Sequence, residues 1–218
     1  MLDFLHKEIV ILVHGFNNSE ADMFPLRDRL TRLGYTVATT NLPLSFASLE
    51  ESLSVFSDQI QPILCRHDSY TKIHLVGYSM GGLIVRAFLA NNVIVKLGRC
   101  VLIATPNRGT KLADMANNLF KPLVHIYKPL NALKTGVTEY GEPLNAPQPE
   151  IGVIAGDANK HLLGFFLAGA NDGRVEVESA LYSGMADFAI RSYGHKEIHH
   201  QPETAQLVHA FLHTGKFV

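Results

Sequence analysis

Residues 73–90 read IHLVGYSMGGLIVRAFLA. The first four are apolar or β-branched enough for a buried strand, and the last eight carry the apolar density of a buried helix. Between them stand a serine and three glycines. A strand that passes straight into a helix must turn sharply, so the residues around the serine crowd each other. Gly77 and Gly81 remove the side chains that would clash there. Ser79 is then left in a strained conformation, its hydroxyl above the sheet edge and at the start of a helix. Unpaired N–H groups and the helix dipole favour negative charge at that point. An ordinary glycine-rich turn with an N-cap serine is the plain alternative. A phosphate loop is not indicated, because neither GxxxxGK[ST] nor GxGxxG is present.

Working outward, similar apolar runs recur at Ile9 to Val13, Tyr35 to Thr40, Cys100 to Ala104, Ile151 to Ala155 and Phe188 to Ser192. Most lack alternation, as in strands covered on both faces. Helical spacing separates them. Met23, Leu26, Leu30 and Leu33 share one face, with Gly34 as the stop. Leu49, Leu53, Phe56, Ile60 and Ile63 share another, preceded by the capping-box pair Ser48 and Glu51. Pro62 should bend or end that helix near its last turn. Pro202 can open a final helix with Leu207, Val208, Phe211 and Leu212 on its apolar face. The alternation predicts an α/β fold with a mainly parallel sheet.

Residues 106–150 break the rhythm. Leu112, Met115, Ala116, Leu119, Leu123, Ile126, Leu130 and Leu133 fall at helical spacing, and TGVTEYGEPLNAPQPE at 135–150 reads as loop. The whole chain is read as one domain with this insertion.

Four motifs now carry a resemblance: VHGF at 13–16, GYSMGG at 77–82, TPNRGTKLAD at 105–114 and NDGRVEVESA at 171–180, with histidines downstream. In that order they resemble the α/β-hydrolase superfamily, in particular its small lipase- and esterase-like branch. The resemblance implies a reduced α/β-hydrolase fold of about six mainly parallel strands flanked by helices, since eight residues before the first strand leave no room for two further antiparallel ones. It also implies a cap or lid at 106–150, for which an ordinary packed helix is the alternative.

The implied chemistry is a Ser-His-Asp triad cleaving a carboxylic ester through an acyl-enzyme. Ser79 is the nucleophile. Asp172, on the Asn171-Asp172-Gly173 turn, is the first choice for the acid, and Asp157 after the strand IGVIA is its rival. The base is sought in GHKEIHHQPETAQLVHAFL. His195 fits the family spacing to Pro202, while His199 and His200 remain alternatives and His209 falls inside the last helix. The amides of Phe16 and Met80 are the expected oxyanion donors. His14 is read as a structural hydrogen-bonding residue. Asn107 and Arg108 either contact substrate or cap a loop. The same triad would serve a thioesterase or an acyltransferase, and a non-catalytic ligand-binding relative is the alternative from another class.

The remaining signals narrow the field. A formal net charge of −1 gives no basis for binding nucleic acid or an anionic membrane. The spacing of His195, His199 and His200 could suit zinc on a helix, but Pro202 starts the helix later and no HExxH is present. No metal and no cofactor are therefore expected. Cys65 and Cys100 are read as free, buried thiols in a reducing compartment. The N-terminal MLDFLHKE has no secretory pattern, and no stretch reaches the roughly 20 apolar residues of a membrane span. A cytoplasmic protein acting on a small acyl ester is the expectation.

Overall fold

The structure is a computed structural model, and it describes residues 7–111, 145, 147–159, 164, 167 and 169–218. The helical stripe expected between Leu112 and Leu133 lies outside the described residues, and so does the lid reading that rests on it.

Six strands form one sheet in the order β2-β1-β3-β4-β5-β6. They are β1 (Glu8–Val13), β2 (Thr36–Thr40), β3 (Lys72–Tyr78), β4 (Leu97–Ile103), β5 (Ile151–Gly156) and β6 (Asp187–Arg191). Every pairing is parallel, so the six apolar runs all become strands. The helices are α1 (Phe24–Arg32), α2 (Leu49–Leu64), α3 (Met80–Asn91), the short α4 (Val177–Ala180) and α5 (Pro202–Thr214). Ser48 and Glu51 cap α2 reciprocally, and Pro62 sits in its last turn. Pro202 opens α5, and Gly34 follows α1 with φ +99°.

Burial explains the unalternating strands. On β1, Ile9, Ile11 and Val13 face one core, together with Phe56 and Ile60 of α2 and Leu83 and Ile84 of α3. Val10 and Leu12 face the other, with Leu26 and Leu30 of α1 and Val208 and Phe211 of α5. Side chains alternate between faces, and both faces are apolar because both are covered. Each such side chain contributes roughly 1.5–3 kcal/mol by leaving water.

The thiols differ from expectation. Cys100 is buried on β4, but Cys65 is exposed at the C-terminal cap of α2, and both are free. Cys65 lies beyond the last turn of α2 that packs its stripe on the sheet. No helix among the described residues is long and apolar enough to cross a membrane.

The sheet order positions the site. The chain leaves β1 for β2 on one side, then returns for β3 on the other. Loops leaving the C-terminal ends of β1 and β3 therefore diverge and open a crevice between them, where parallel sheets commonly place ligands. Ser79 and Phe16 both stand at that crevice.

Candidate active site

Ser79 links β3 to α3 with φ 53° and ψ −124°, a region non-glycine residues seldom occupy. Several contacts hold it there. Its N–H donates to Ile103 O at 2.8 Å, and its carbonyl accepts from Gly82 N at 3.0 Å. A Cβ on Gly77 would lie 2.5 Å from Gly82 Cα, and one on Gly81 would strike the carbonyl oxygens of Val13 and His14. Gly81 is thus constrained by the end of β1 rather than by Gly77. Gly82, whose reason the motif did not disclose, faces the Thr105 side chain. A Cβ on Gly15 would come 3.0 Å from Ser79 Cβ, so the loop after β1 lies directly against the serine.

The acid and base loops meet Ser79 from the other side. Ser79 Oγ donates to His195 Nε2 at 2.9 Å. His195 Nδ1–H donates to Asp172 Oδ2 at 2.7 Å. The carboxylate accepts only, so the ring proton sits on Nδ1 and leaves Nε2 as acceptor. Asp172 Oδ1 accepts the amides of Val175 at 2.8 Å and Arg174 at 3.0 Å, which fixes the direction of the carboxylate. Asn171 Oδ1 closes the turn on Gly173 N at 2.9 Å. The base loop is tied to the acid loop through His195 N and Asp172 O at 2.9 Å. Both Asp172 and His195 are buried.

The structure thus brings Ser79, His195 and Asp172 into one hydrogen-bonded chain, and leaves their rivals elsewhere. Asp157 is exposed at the end of β5. His209 lies on α5 beside Tyr35, whose hydroxyl is 3.1 Å from His209 Nδ1. His14 is buried, with Nδ1–H donating to Gly15 O and Nε2 accepting from Leu42 N, each at 2.9 Å. Burial pushes its pKa down, as befits a neutral structural imidazole. Asn107 is buried and donates to Ala180 O at 2.7 Å, while accepting from Arg86. It pins the loop after β4. Met80 opens α3, so its amide is one of the first-turn donors without an intrahelical acceptor. Phe16 is half-buried in the loop after β1.

His199 and His200 have another task, one the sequence reading missed. His199 Nε2 donates to Asp22 Oδ2 at 2.9 Å, and His200 Nε2 lies 3.1 Å from Asp22 Oδ1. The His199 ring stacks on Tyr78, centroids 3.7 Å apart. The Tyr78 hydroxyl donates to His195 O at 2.8 Å, and burial pushes its phenol well above its ordinary pKa. Asp22, Tyr78 and His199 therefore support the loop that carries His195. Tyr78 was in view as the residue before the serine, but nothing in the sequence links Asp22 to His199. The donor atoms of Asp22, His199 and His200 lie within 4.8 Å of one another, close enough to hold a metal ion. Asp22 already pairs with both imidazoles through hydrogen bonds. A metal-bound imidazole ordinarily also donates its second ring N–H, and the buried His199 Nδ1 has no partner. The donor set fits a metal poorly.

The fold and the hydrogen-bonded chain define a class, that of α/β proteins carrying a nucleophile-elbow serine. The family described as "alpha/beta hydrolase fold" matches residues 8–125, more than half of the chain, and the chain belongs to it. Triacylglycerol lipase 2 of Saccharomyces cerevisiae is 36% identical over 95 residues, which are 41% of this chain and 29% of that protein. The matched stretch thus spans under a third of the relative. Among solved structures, the mature lipase BlEst2 of Bacillus licheniformis superposes with TM-score 0.75, covering 95% of this chain and 91% of that one at 19% identity. The ydeN gene product of B. subtilis gives TM-score 0.62 at 18% identity, covering 95% and 100%. The phospholipase PlaB of Legionella pneumophila gives 0.59 at 17%, covering 80% and 46%. At these identities the structural likeness is one of fold.

Proposed function

We propose that the protein is a carboxylic ester hydrolase that works through an acyl-enzyme on Ser79. The observation that carries this reading is the unbroken hydrogen-bonded chain from Ser79 Oγ through His195 to Asp172, mounted on a strained strand-to-helix turn. Ser79 Oγ attacks the ester carbonyl as its proton passes to His195 Nε2. Asp172 holds the resulting imidazolium. The amides of Phe16 and Met80 receive the oxyanion, a contribution typically worth about 10²–10³ in rate per donor. His195 then gives its proton to the leaving alcohol. A water molecule, deprotonated by the same nitrogen, attacks the acyl-enzyme and releases the acid. The names of its relatives, a triacylglycerol lipase and the lipase BlEst2, agree with an ester substrate.

The test is hydrolysis of p-nitrophenyl esters from acetate to palmitate by the intact protein and by Ser79→Ala, with labelling by a fluorophosphonate probe. We expect turnover and labelling that vanish in the variant, and the chain-length optimum separates an esterase from a lipase. Turnover unaffected by the substitution would overturn the assignment of Ser79, and inertness toward every ester and the probe would overturn the ester-hydrolase reading.

A further inference from the structure

A cavity of about 290 Å³ is lined by Phe16, Asn17, Asn18, Tyr78, Arg174 and Lys196, with Asp22 in its wall; Tyr78 directly precedes Ser79 in the chain. Its lining adjoins every part of the machinery. Phe16 belongs to the expected oxyanion loop, Tyr78 precedes the nucleophile, Arg174 is two residues past the acid and Lys196 directly follows the base. A group bound here would lie against residues that flank the serine, the acid and the base in sequence.

The charges in this lining are unequal. Asp22 is the single carboxylate, and its oxygens are engaged: Oδ2 accepts from Asn18 Nδ2 at 2.5 Å and from His199, and Oδ1 faces His200. Among the described residues neither Arg174 nor Lys196 has an ion-pair partner. The Arg174 backbone is fixed, its N–H on Asp172 Oδ1 and its carbonyl accepting Thr110 Oγ1 at 2.8 Å. Two cations with no ion-pair partner among the described residues thus line a small cavity against one carboxylate, along with Asn17, whose backbone has φ 55°, and Asn18. Such a lining favours a compact, acceptor-rich anion over a hydrocarbon chain.

Building on the ester-hydrolase reading, we propose that this cavity is an anion subsite, and that the preferred substrate is an ester bearing a carboxylate or phosphate group near the scissile bond. The contact is present before and during reaction alike, so it acts on KM more than on kcat.

Two matched substrate pairs test this. One is p-nitrophenyl butyrate against mono-p-nitrophenyl succinate, where a methyl is exchanged for a carboxylate on the acyl side. The other is monobutyrin against 1-butyryl-glycerol 3-phosphate, where the anion sits on the alcohol side. The expected result is an anionic member favoured about 5- to 10-fold in kcat/KM, carried by KM and shrinking with salt. The doubly neutral variant Arg174→Gln/Lys196→Gln should lose that preference, read as the ratio of kcat/KM between the two members of a pair within the same variant. The pair that shows the preference tells a carboxylate on the acyl group from a phosphate on the alcohol. Binding of glutarate and of glycerol 3-phosphate to Ser79→Ala, measured by titration calorimetry, stands apart from turnover. Binding that depends on the two cations, without hydrolysis of any ester, would uphold the subsite and sink the ester-hydrolase reading. No preference in either pair, together with no cation-dependent binding, would overturn the subsite while leaving ester hydrolysis intact.

Discussion

The two halves of the site are held by different physics. Ser79, Met80 and Phe16 hang from β1 and β3, neighbouring central strands in which Val13 pairs with Gly77. Backbone packs on backbone there, and glycines permit it. Asp172 and His195 ride instead on loops near β6, the last strand of the sheet, and hydrogen bonds tie them together. In the proposed reaction the difference follows from the work each half does. A serine in an unfavourable φ/ψ region persists only where its surroundings over-determine it. An imidazole that must gain and lose a proton needs oriented partners more than steric confinement.

The largest expected effect breaks the hydrogen-bonded half alone. In Asp172→Asn, the amide oxygen can still accept the Arg174 and Val175 amides, so the turn should survive. The amide nitrogen then faces His195 Nδ1 as a donor, and the ring proton is driven to Nε2. His195 can no longer accept from Ser79. Ester turnover should fall about 10⁴-fold with the fold intact, whereas Asp157→Asn should leave the rate within about twofold. Equal losses in the two variants would remove Asp172 from the triad.

The steric half breaks through stability. A Cβ at residue 81 meets two carbonyl oxygens of β1 and its following loop that have no room to retreat. Gly81→Ala should cost about 3 kcal/mol or more in urea unfolding. Gly194 adjoins the base, yet a Cβ there would find its nearest atoms at 3.4, 3.6 and 3.7 Å. Gly194→Ala should therefore change stability by only about 0.5 kcal/mol. Similar costs at both positions would erase the contrast between the halves.

That contrast also explains what could be read before the structure. The elbow is legible because its constraint is local: strand, turn glycines and helix lie within residues 73–90, and the six apolar runs announce a sheet covered on both faces. Ser48 with Glu51 and the proline at 202 were equally local signals. The acid was narrower than a guess and wider than an answer, since both Asp157 and Asp172 follow plausible chain positions, and only burial and the distance to His195 separate them. The reason for Gly82 sits in Thr105, and the support of the base runs from Asp22 to His199 across most of the chain. Such contacts leave no periodicity to detect. Cys65 was misplaced because composition says nothing about where a helix stops packing.

Acid should expose a feature common to both halves. His14, His74 and His199 are buried, and burial lowers the pKa of each below 6.5. Two of them also accept a backbone N–H, His14 from Leu42 and His74 from Arg99, each at 2.9 Å. Protonation would break both bonds. Each group binds its proton more weakly folded than unfolded, so below about pH 6.5 the unfolded chain takes up protons that the folded chain refuses. Stability is full above that pH and falls as pH drops toward the folded values, by at most about 1.4 kcal/mol per pH unit for each histidine. Urea midpoints measured from pH 8 to pH 5 should decline only over the lower half of that range. A flat profile would mean that these imidazoles bind protons as readily folded as unfolded.

The smallest effect tests the seam between the halves. Tyr78 belongs to β3 and stands beside Ser79, but its hydroxyl holds the His195 carbonyl and its ring carries His199. Tyr78→Phe keeps the stacking and removes one hydrogen bond, for about 1 kcal/mol of stability. If the hydroxyl positions the base, kcat should fall severalfold with KM nearly unchanged, because a shifted imidazole harms proton transfer and not ester binding. A loss of stability with kcat and KM both untouched would show that Tyr78 only fills space, and that the His195 loop depends on Asp172 for its alignment.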